Sequence, residues 1–370
     1  MLDVAYSLRV IRAVALNDIR SALTERLFTS VSILLPLNFL LLFLLFVLTG
    51  GQAPTAVVMD DTGPYAEQFL QALQGARSFT IVRSTADEAQ RLMQQGRIVA
   101  IVTVPADFDA ALQSGQTISL PVIVNNLNVD YTNDIRRAVP LAITSFYAHA
   151  FPDQVVVRAN EIDVHAQDTG YIEYLSVSIV VVSLLVGGLL QAGTNAAREY
   201  ETGTIKELLL APADRWAIEV GKMLGALALN VLSAAVVVGV VVLGLGVRPV
   251  HLPEMLGYTL LVMLTFVSLG LLAGTLVRRR TAVVPLSIAL SLPIFFISGA
   301  FGPVQWGSAA LAFISRLQPV YYAIAVFQYA FHDFETTPSS LSLNGLLLLT
   351  FTVVIVVASA IALRRRGAAQ

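Results

Sequence analysis

Long apolar segments alternate with polar ones along most of the chain. Six segments are apolar almost throughout: 27–49, 172–192, 223–247, 255–277, 281–301 and 343–363. Crossing a bilayer takes a helix of about 20 residues, so each of the six is long enough. The pattern therefore predicts a polytopic α-helical membrane protein with six transmembrane helices.

A seventh apolar segment, 308–331, is interrupted near its middle by Arg316, Gln318 and Pro319. A seventh crossing would also put the final arginine triplet on the opposite side of the membrane from the other arginine-rich connections. We therefore expect residues 302–332 to form a re-entrant helical hairpin before the last span, with the broken backbone buried in protein.

Lysine and arginine cluster in alternate connections. Four arginines precede the first apolar segment, four cations lie within 198–222, and arginine triplets occupy 278–280 and 364–366. The short connections between these clusters contain only Arg248 and Arg316. Because cytoplasmic loops are enriched in Lys and Arg, we expect both termini in the cytoplasm and the long 50–170 segment outside.

The composition excludes several other classes of protein. The 370 residues are 56% hydrophobic and 13% charged, with a formal net charge of −2. No basic domain is present to neutralise a nucleic-acid backbone, so no nucleic-acid partner is expected. The chain has no cysteine, and its four histidines lack the spacing of metal ligands, so no metal site is predicted. No Gly-x-x-x-x-Gly-Lys-Ser/Thr phosphate loop occurs either, so the chain itself is expected to bind no ATP.

The N-terminal segment, 1–26, has apolar residues in steps of three and four with four arginines between them. The apolar positions are Val4, Leu8, Ile11, Ala15, Ile19 and Ala22. This spacing predicts an amphipathic helix that lies on the anionic cytoplasmic leaflet, in contact with membrane lipid.

Between residues 50 and 170 the composition becomes that of a water-soluble domain. Strand-like runs at 56–59, 79–82, 98–104 and 118–124 alternate with helical segments at 65–74, 86–95, 106–113 and 133–149. This alternation is typical of an α/β domain, here inserted after the first span. Asp60 and Asp61 follow the first strand, where helix capping is the expected role.

A polar island, 196–222, separates the second span from the third. Its middle predicts a short helix in which Thr204 is the N-cap and Glu207 completes a capping box. Gly203 allows the preceding turn, and Pro212 ends the pattern.

Three apolar residues of this short helix, Ile205, Leu208 and Leu209, fall at i, i+3 and i+4 and share one face. A helix of about two turns is not stable alone in water, so the face is expected to dock on another surface. An ordinary positively charged cytoplasmic loop is the alternative interpretation.

Several segments resemble the membrane subunits of ABC-2 type exporters. In the island, the matching residues are Gly203-Thr204, Leu208-Leu209, Pro212 and Gly221-Lys222. In the α/β segment, they are Val58-Met59-Asp60-Asp61 and Val104-Pro105-Ala106-Asp107-Phe108. Near the hairpin, they are Ser298-Gly299 with Pro303, and Gln318-Pro319. The α/β segment is most similar to that of drug- and lipid-exporting members. Lys206 stands where the family more often has glutamate.

This resemblance implies the transport subunit of an ATP-binding cassette exporter in a bacterial cytoplasmic membrane, not an enzyme. Its implied partners are a second permease chain, identical or related, and two copies of a separate ATPase that binds ATP and magnesium. A periplasmic adaptor is a further partner that the sequence leaves open. The residues implied to couple to the ATPase are Glu199, Glu201, Gly203, Thr204, Ile205, Lys206, Glu207, Leu208, Leu209 and Pro212.

Few polar side chains lie inside the predicted spans, which favours a hydrophobic or amphiphilic substrate such as a drug or lipid. The candidates for a substrate path are Asn38, Gln191, Asn230 and Ser298. One alternative, an ion-coupled secondary transporter, needs ionisable groups at membrane depth, and the predicted spans contain only Glu173, at a rim. Another, a membrane-anchored sensor with an extracytoplasmic ligand domain, needs neither six spans nor a docking helix.

Overall fold

The computed structural model describes residues 4–24, 26–49, 53–76, 79–126, 129–154 and 170–367. The chain divides into two compact units, Met1–Leu45 with Gln167–Gln370, and Phe46–Ala166. Residues 50–52 and 155–169, which belong to the two ends of the predicted 50–170 domain, lie outside the described residues.

Two helices open the chain. Helix α1 (Val4–Thr24) is amphipathic, and helix α2 (Arg26–Thr49) is apolar with Pro36 inside it. The buried face of α1 consists of Ser7, Val14, Asp18 and Ala22.

The second unit contains a four-stranded sheet with helices on both faces. Its strands are β1 (Ala53–Met59), β2 (Phe79–Arg83), β3 (Ala100–Val104) and β4 (Val122–Val124), and its helices are α3 (Pro64–Gly75), α4 (Ala86–Gln94), α5 (Phe108–Gln113) and α6 (Val129–Ala150). The strand order is β2-β1-β3-β4, with β1 parallel to β2 and β3, and β4 antiparallel to β3. A strand or helix lies at each of the eight positions that the sequence predicts.

Alternate residues of β1 face opposite sides of the sheet, as the pleat of a strand requires. Val57 packs with α3, α5 and α6, and Val58 packs with α4. The backbone N–H groups of Tyr65 and Ala66, in the first turn of α3, donate to the carboxylate of Asp109 and not to Asp61. The Asp61 carboxylate accepts the backbone N–H of Gly63, the N-cap residue of α3 (2.8 Å), and that of Asp109 in the first turn of α5 (2.9 Å). These two hydrogen bonds lower the pKa of Asp61, the one from Asp109 most.

The remaining helices belong to the first unit. They are α7 (Tyr171–Thr202), α8 (Thr204–Leu210), α9 (Arg215–Gly239, continued by a π-helical turn Val240–Gly244), α10 (Leu252–Val277), α11 (Arg280–Ile297), α12 (Ala309–Ser315), α13 (Pro319–His332) and α14 (Leu341–Gly367). Helix α7 lies at the centre: its apolar stretch is entirely buried, and it packs against α9, α10, α11 and α13.

Within the described ranges, five helices are long and apolar enough to cross a membrane: α7, α9, α10, α11 and α14. Helices α12 and α13 are bent by 92° at Arg316 to Gln318 and would give a sixth crossing if the pair spans the membrane. The apolar part of α2, Ser30–Leu45, is shorter. The chain is therefore a polytopic helical membrane protein, and the predicted pair of short helices before the last span is present. The re-entrant path and the exact number of crossings stay predictions.

Candidate coupling site

The island is built on a single-residue turn between α7 and α8. Gly203 has φ 76°, in the left-handed region that favours glycine, and it serves both as the end of α7 and as the N-cap of α8. The predicted capping box is therefore wrong: Thr204 is already helical, no side chain caps α8, and the Thr204 hydroxyl instead lies 3.0 Å from that of Thr202. The reason is that α7 continues to Thr202, so only Gly203 remains for the turn.

The structure describes the side chains of two of the three residues in the predicted apolar face of α8. Ile205 is only 2% exposed and points into the protein, near Ala196, Leu271 and Leu363. Leu208 is half-buried, and the side chain of Leu209 lies outside the described residues. Ile205 thus fastens α8 to the helices of its own chain.

An apolar residue that sequence reasoning missed, Leu210, is 85% exposed at the end of α8. Lys206, Glu207 and Pro212 are also exposed, and so is Trp216 in the first turn of α9. We call these five residues the α8 surface. The two large apolar side chains of the α8 surface, Leu210 and Trp216, are accessible to a partner. The only signal in the sequence that pointed to Leu210 was its position five residues after Ile205, which faces inward.

Behind α8 lies a buried charge cluster formed by Asp18, Glu199 and Lys222. The Lys222 ammonium donates a hydrogen bond to the Glu199 carboxylate, and both side chains are buried. Asp18 of α1 is also buried, and burial raises the pKa of its carboxyl to about 6 although the charge of Lys222 acts in the opposite direction. Glu199, predicted as a contact for the ATPase, therefore lies inside the protein and joins α7 to α9.

Glu201, the second acidic residue predicted to contact a partner, is bound to α11. Its carboxylate accepts hydrogen bonds from the Arg280 backbone N–H and from Nε, each at 2.8 Å. The end of α7 is therefore tied to α9 through Glu199 and to α11 through Glu201.

Helix α1 packs along α9 at very short range. A Cβ added to Gly221 would lie 2.8 Å from the Cβ of Val14 and 3.0 Å from the carbonyl oxygen of Ile11, so no larger residue fits without movement. The buried positions Val14 and Asp18 are spaced by four residues on this face. The predicted apolar stripe is thus divided: Ala22 is buried with them, whereas Val4 and Leu8 are exposed.

A polar cleft of about 460 Å³ separates α1 from α8. Its lining residues are Asn17, Asp18, Ser21, Asn195, Arg198, Glu199, Thr202, Thr204, Glu207, Leu208 and Ala211. Among the residues that the structure describes, no group of three or more His, Cys, Asp or Glu side chains is placed to hold a metal ion.

The four candidates for a substrate path do not meet at one place. Gln191 donates hydrogen bonds from Nε2 to the hydroxyls of Ser32 and Ser233, each at 2.7 Å, and so joins α2, α7 and α9. Asn230 donates from Nδ2 to the Leu184 carbonyl at 3.2 Å. These two amides hold helices together in the interior.

The other two candidates have unrelated surroundings. Ser298 is buried and donates its hydroxyl to the Phe295 carbonyl at 2.6 Å, within the last turn of α11. Asn38 is exposed on α2.

These features define a multi-pass membrane protein with a short helix fastened between two long ones at one end of the bundle. Residues 26–361 match the family model described as "ABC-2 family transporter protein". The chain therefore belongs to the ABC-2 transporter family, as its resemblance predicted.

Two similar proteins come from Escherichia coli strain K12. "Probable multidrug ABC transporter permease YbhR" is 21% identical over 279 residues, which cover 72% of this chain and 74% of the relative. "Probable multidrug ABC transporter permease YbhS" is 23% identical over 339 residues, or 88% of this chain and 89% of the relative. Membership of a permease family indicates a transport subunit, and ABC permeases work with an ATPase partner and a second permease.

Proposed function

We propose that this chain is the permease subunit of an ABC exporter and that the α8 surface is where a separate ATPase docks. The observation that carries this proposal is the contrast along α8: Ile205 is buried in its own chain, whereas Leu210 is 85% exposed five residues later. A helix that is packed against its own chain on one face and exposed on the other can bind a partner protein and move with it.

The assembly that follows has two permease chains, identical or related, and two copies of the ATPase. ATP and magnesium bind to the ATPase, since this chain has no phosphate loop. ATP-driven closure of the ATPase pair displaces α8. The displacement passes to α9 through the Glu199–Lys222 pair and to α11 through Glu201 and Arg280.

The arginine distribution supports a bacterial cytoplasmic-membrane protein with both termini and α8 inside and the α/β unit outside. The substrate class we infer is hydrophobic or amphiphilic, drug- or lipid-like, moved outward. Apolar spans favour such a substrate, and the printed names of YbhR and YbhS contain the word multidrug. An adaptor on the outer side would be a further partner.

The buried charge cluster bears on the alternative of ion-coupled transport, which needs ionisable groups near the middle of the spans. Glu199 lies three residues before the end of α7, and Lys222 lies seven residues after the start of α9. Both residues therefore lie beside α8 at one end of the bundle, where they favour a coupling role over an ion path.

The test is Leu210→Asp in the full chain, expressed with its ATPase. Burying a leucine contributes about 1.5 to 3 kcal/mol, so its loss should weaken ATPase binding roughly 10- to 150-fold, and the new carboxylate adds to that. The matched control is Leu141→Asp, because Leu141 is also an exposed leucine (59%) but lies in the α/β unit.

The expected result is a normal membrane level of both variants, with the ATPase lost from the purified complex for Leu210→Asp alone. Lys206→Glu, which restores the commoner family residue, should keep the ATPase bound. If Leu210→Asp retains the ATPase and substrate-stimulated ATP hydrolysis, the α8 surface is not the docking site.

A further inference from the structure

Within the described apolar helices, one amide side chain differs from the others in its exposure. In the described part of the apolar helices, the remaining amides are buried or half-buried: Gln191, Asn195, Asn230, Gln318, Gln328 and Asn344. Asn38, near the middle of α2, is exposed. A polar group at that depth normally faces protein or a water-filled cavity, because in hydrocarbon its hydrogen bonds go unmade.

Helix α2 has two opposite faces. The inner face holds Ser32, Pro36, Leu40 and Phe43, of which Ser32 bonds to Gln191 and the Phe43 ring lies 5.1 Å from that of Phe301. The outer face holds Leu34, Asn38, Leu41 and Leu45, all exposed. We call these four residues the α2 stripe.

The spacing of the α2 stripe is four, three and four residues, the repeat at which two helices pack along a shared seam. Three of the four positions are leucine, so a partner must be apolar along most of its length and must offer one hydrogen-bonding group at the level of Asn38. A polar residue at one seam position is a known device for fixing register between helices.

A second copy of this chain meets both requirements. Two copies in one membrane have the same topology, so a twofold axis along the membrane normal sets the two α2 helices parallel and brings each stripe residue to its own equivalent. A primary amide carries both donors and an acceptor, so asparagine is complementary to itself.

We propose that the α2 stripe packs against the α2 stripe of a second copy of this chain, with the two Asn38 side chains hydrogen-bonded to each other across the axis. The proposal rests on the pairing of permease chains proposed above and names the surface at which it occurs. It gives Asn38 a role in assembly in place of the predicted role in a substrate path.

The chain has no cysteine, so single cysteines can be placed without background. The first experiment is oxidative cross-linking in native membranes of Leu34→Cys, Asn38→Cys, Leu41→Cys and Leu45→Cys, each in the full chain. A disulfide forms only where the Cα atoms approach within about 7 Å, so all four variants should form covalent dimers on a non-reducing gel. The matched control is Val354→Cys, because Val354 is a similarly exposed residue of α14 (60%) and should remain monomeric.

The second experiment distinguishes the contribution of the Asn38 amide to self-association from that of the leucines. Asn38→Leu keeps the apolar seam but removes the hydrogen bond, and Asn38→Gln keeps the amide on a longer side chain. Interhelical hydrogen bonds in membranes correspond to about 3- to 30-fold in association, so Asn38→Leu should weaken self-association by that factor, measured by energy transfer between labelled copies in vesicles. Asn38→Gln should retain most of it.

Native mass spectrometry of the purified complex counts permease chains independently of cross-linking. Two chains per complex with cross-links along the α2 stripe support the proposal. Two identical chains without those links overturn the α2 seam and leave the pairing of permeases intact. One copy of this chain beside a related permease overturns the self-pairing of Asn38, and one permease chain alone overturns the pairing itself.

Discussion

The two ends of helix α7 are fastened by different chemistry. At the Gly203 end, the buried charge cluster joins α7 to α9 and α1. At the Gly170 end, neutral hydrogen bonds hold the helix instead. The Tyr174 hydroxyl donates to the Gly299 carbonyl at 2.9 Å, and Gln328 donates from Nε2 to the Tyr174 carbonyl at 2.8 Å.

The two kinds of fastening respond differently to loss of a partner. A neutral hydrogen bond contributes about 1 kcal/mol net, and its loss is local. A buried charge without its partner is far more costly, because it must be desolvated with nothing to compensate. We therefore expect the Gly203 end, next to the α8 surface, to be the end at which small changes alter the whole unit.

The largest effect should come from Lys222→Met. It leaves Glu199 and Asp18 buried without their cation, which should cost about 3 to 5 kcal/mol. Thermal unfolding of the purified protein measures the loss. The double variant Lys222→Met with Glu199→Gln removes the unpaired charge and should recover part of it; no recovery would mean that pairing is not what Lys222 contributes.

A smaller effect is expected where α1 meets α9. Gly221→Ala places a methyl group 2.8 Å from the Val14 Cβ, and overpacking of this kind costs about 1 to 3 kcal/mol. Gly239→Ala is the control on the same helix, because a Cβ there meets nothing within 4 Å. Equal melting temperatures for the two variants would contradict the close packing of α1.

The charge cluster should also make stability depend on pH. The pKa of Asp18 is raised to about 6 in the folded protein, so its contribution to stability is fully present below the unfolded value of 3.8 and is lost as the pH rises through 6. The charged groups acting on Asp18 are Lys222, Glu199 and Arg198. Asp18→Asn should therefore be more stable than the unchanged protein at pH 7.5, by up to about 3 kcal/mol, with a smaller gap at pH 5. A gap that widens toward pH 5 would reverse the sign and reject this account.

The smallest effect should come from the Gly170 end. Tyr174→Phe removes one neutral hydrogen bond, and the Gly299 carbonyl keeps a second donor in the backbone N–H of Gly302 at 3.3 Å. We expect a loss of about 0.5 to 1.5 kcal/mol with the ATPase still bound. A loss as large as that of Lys222→Met would remove the distinction between the two ends.

The sequence predicted the elements of the α/β unit well because strands and helices there alternate with clear polar breaks. It also placed α8, since a glycine and a proline enclose a short periodic segment. It did not predict that α7 continues as a helix to Thr202, beyond the predicted end of the second span at 192, or that α9 begins at Arg215, before the predicted start of the third span at 223. The reason is that Glu199 and Lys222 look like loop residues until a neighbouring helix supplies the opposite charge.

The direction in which each side chain of α8 points could not be predicted. Periodicity gives the residues that share a face, but the turn at Gly203 decides where that face is aimed. Asp18 was within reach of sequence reasoning, because it lies four residues from both Val14 and Ala22 on one face of α1, where an isolated carboxylate requires a partner.

Helix α7 has 32 residues and is about 48 Å long at 1.5 Å per residue. Its apolar stretch is buried on every side, so it has no free flank along which it could bend or swing by itself. We therefore expect a displacement at Gly203 to move the helices that surround α7 together with it, because a close-packed interior transmits strain and does not absorb it locally.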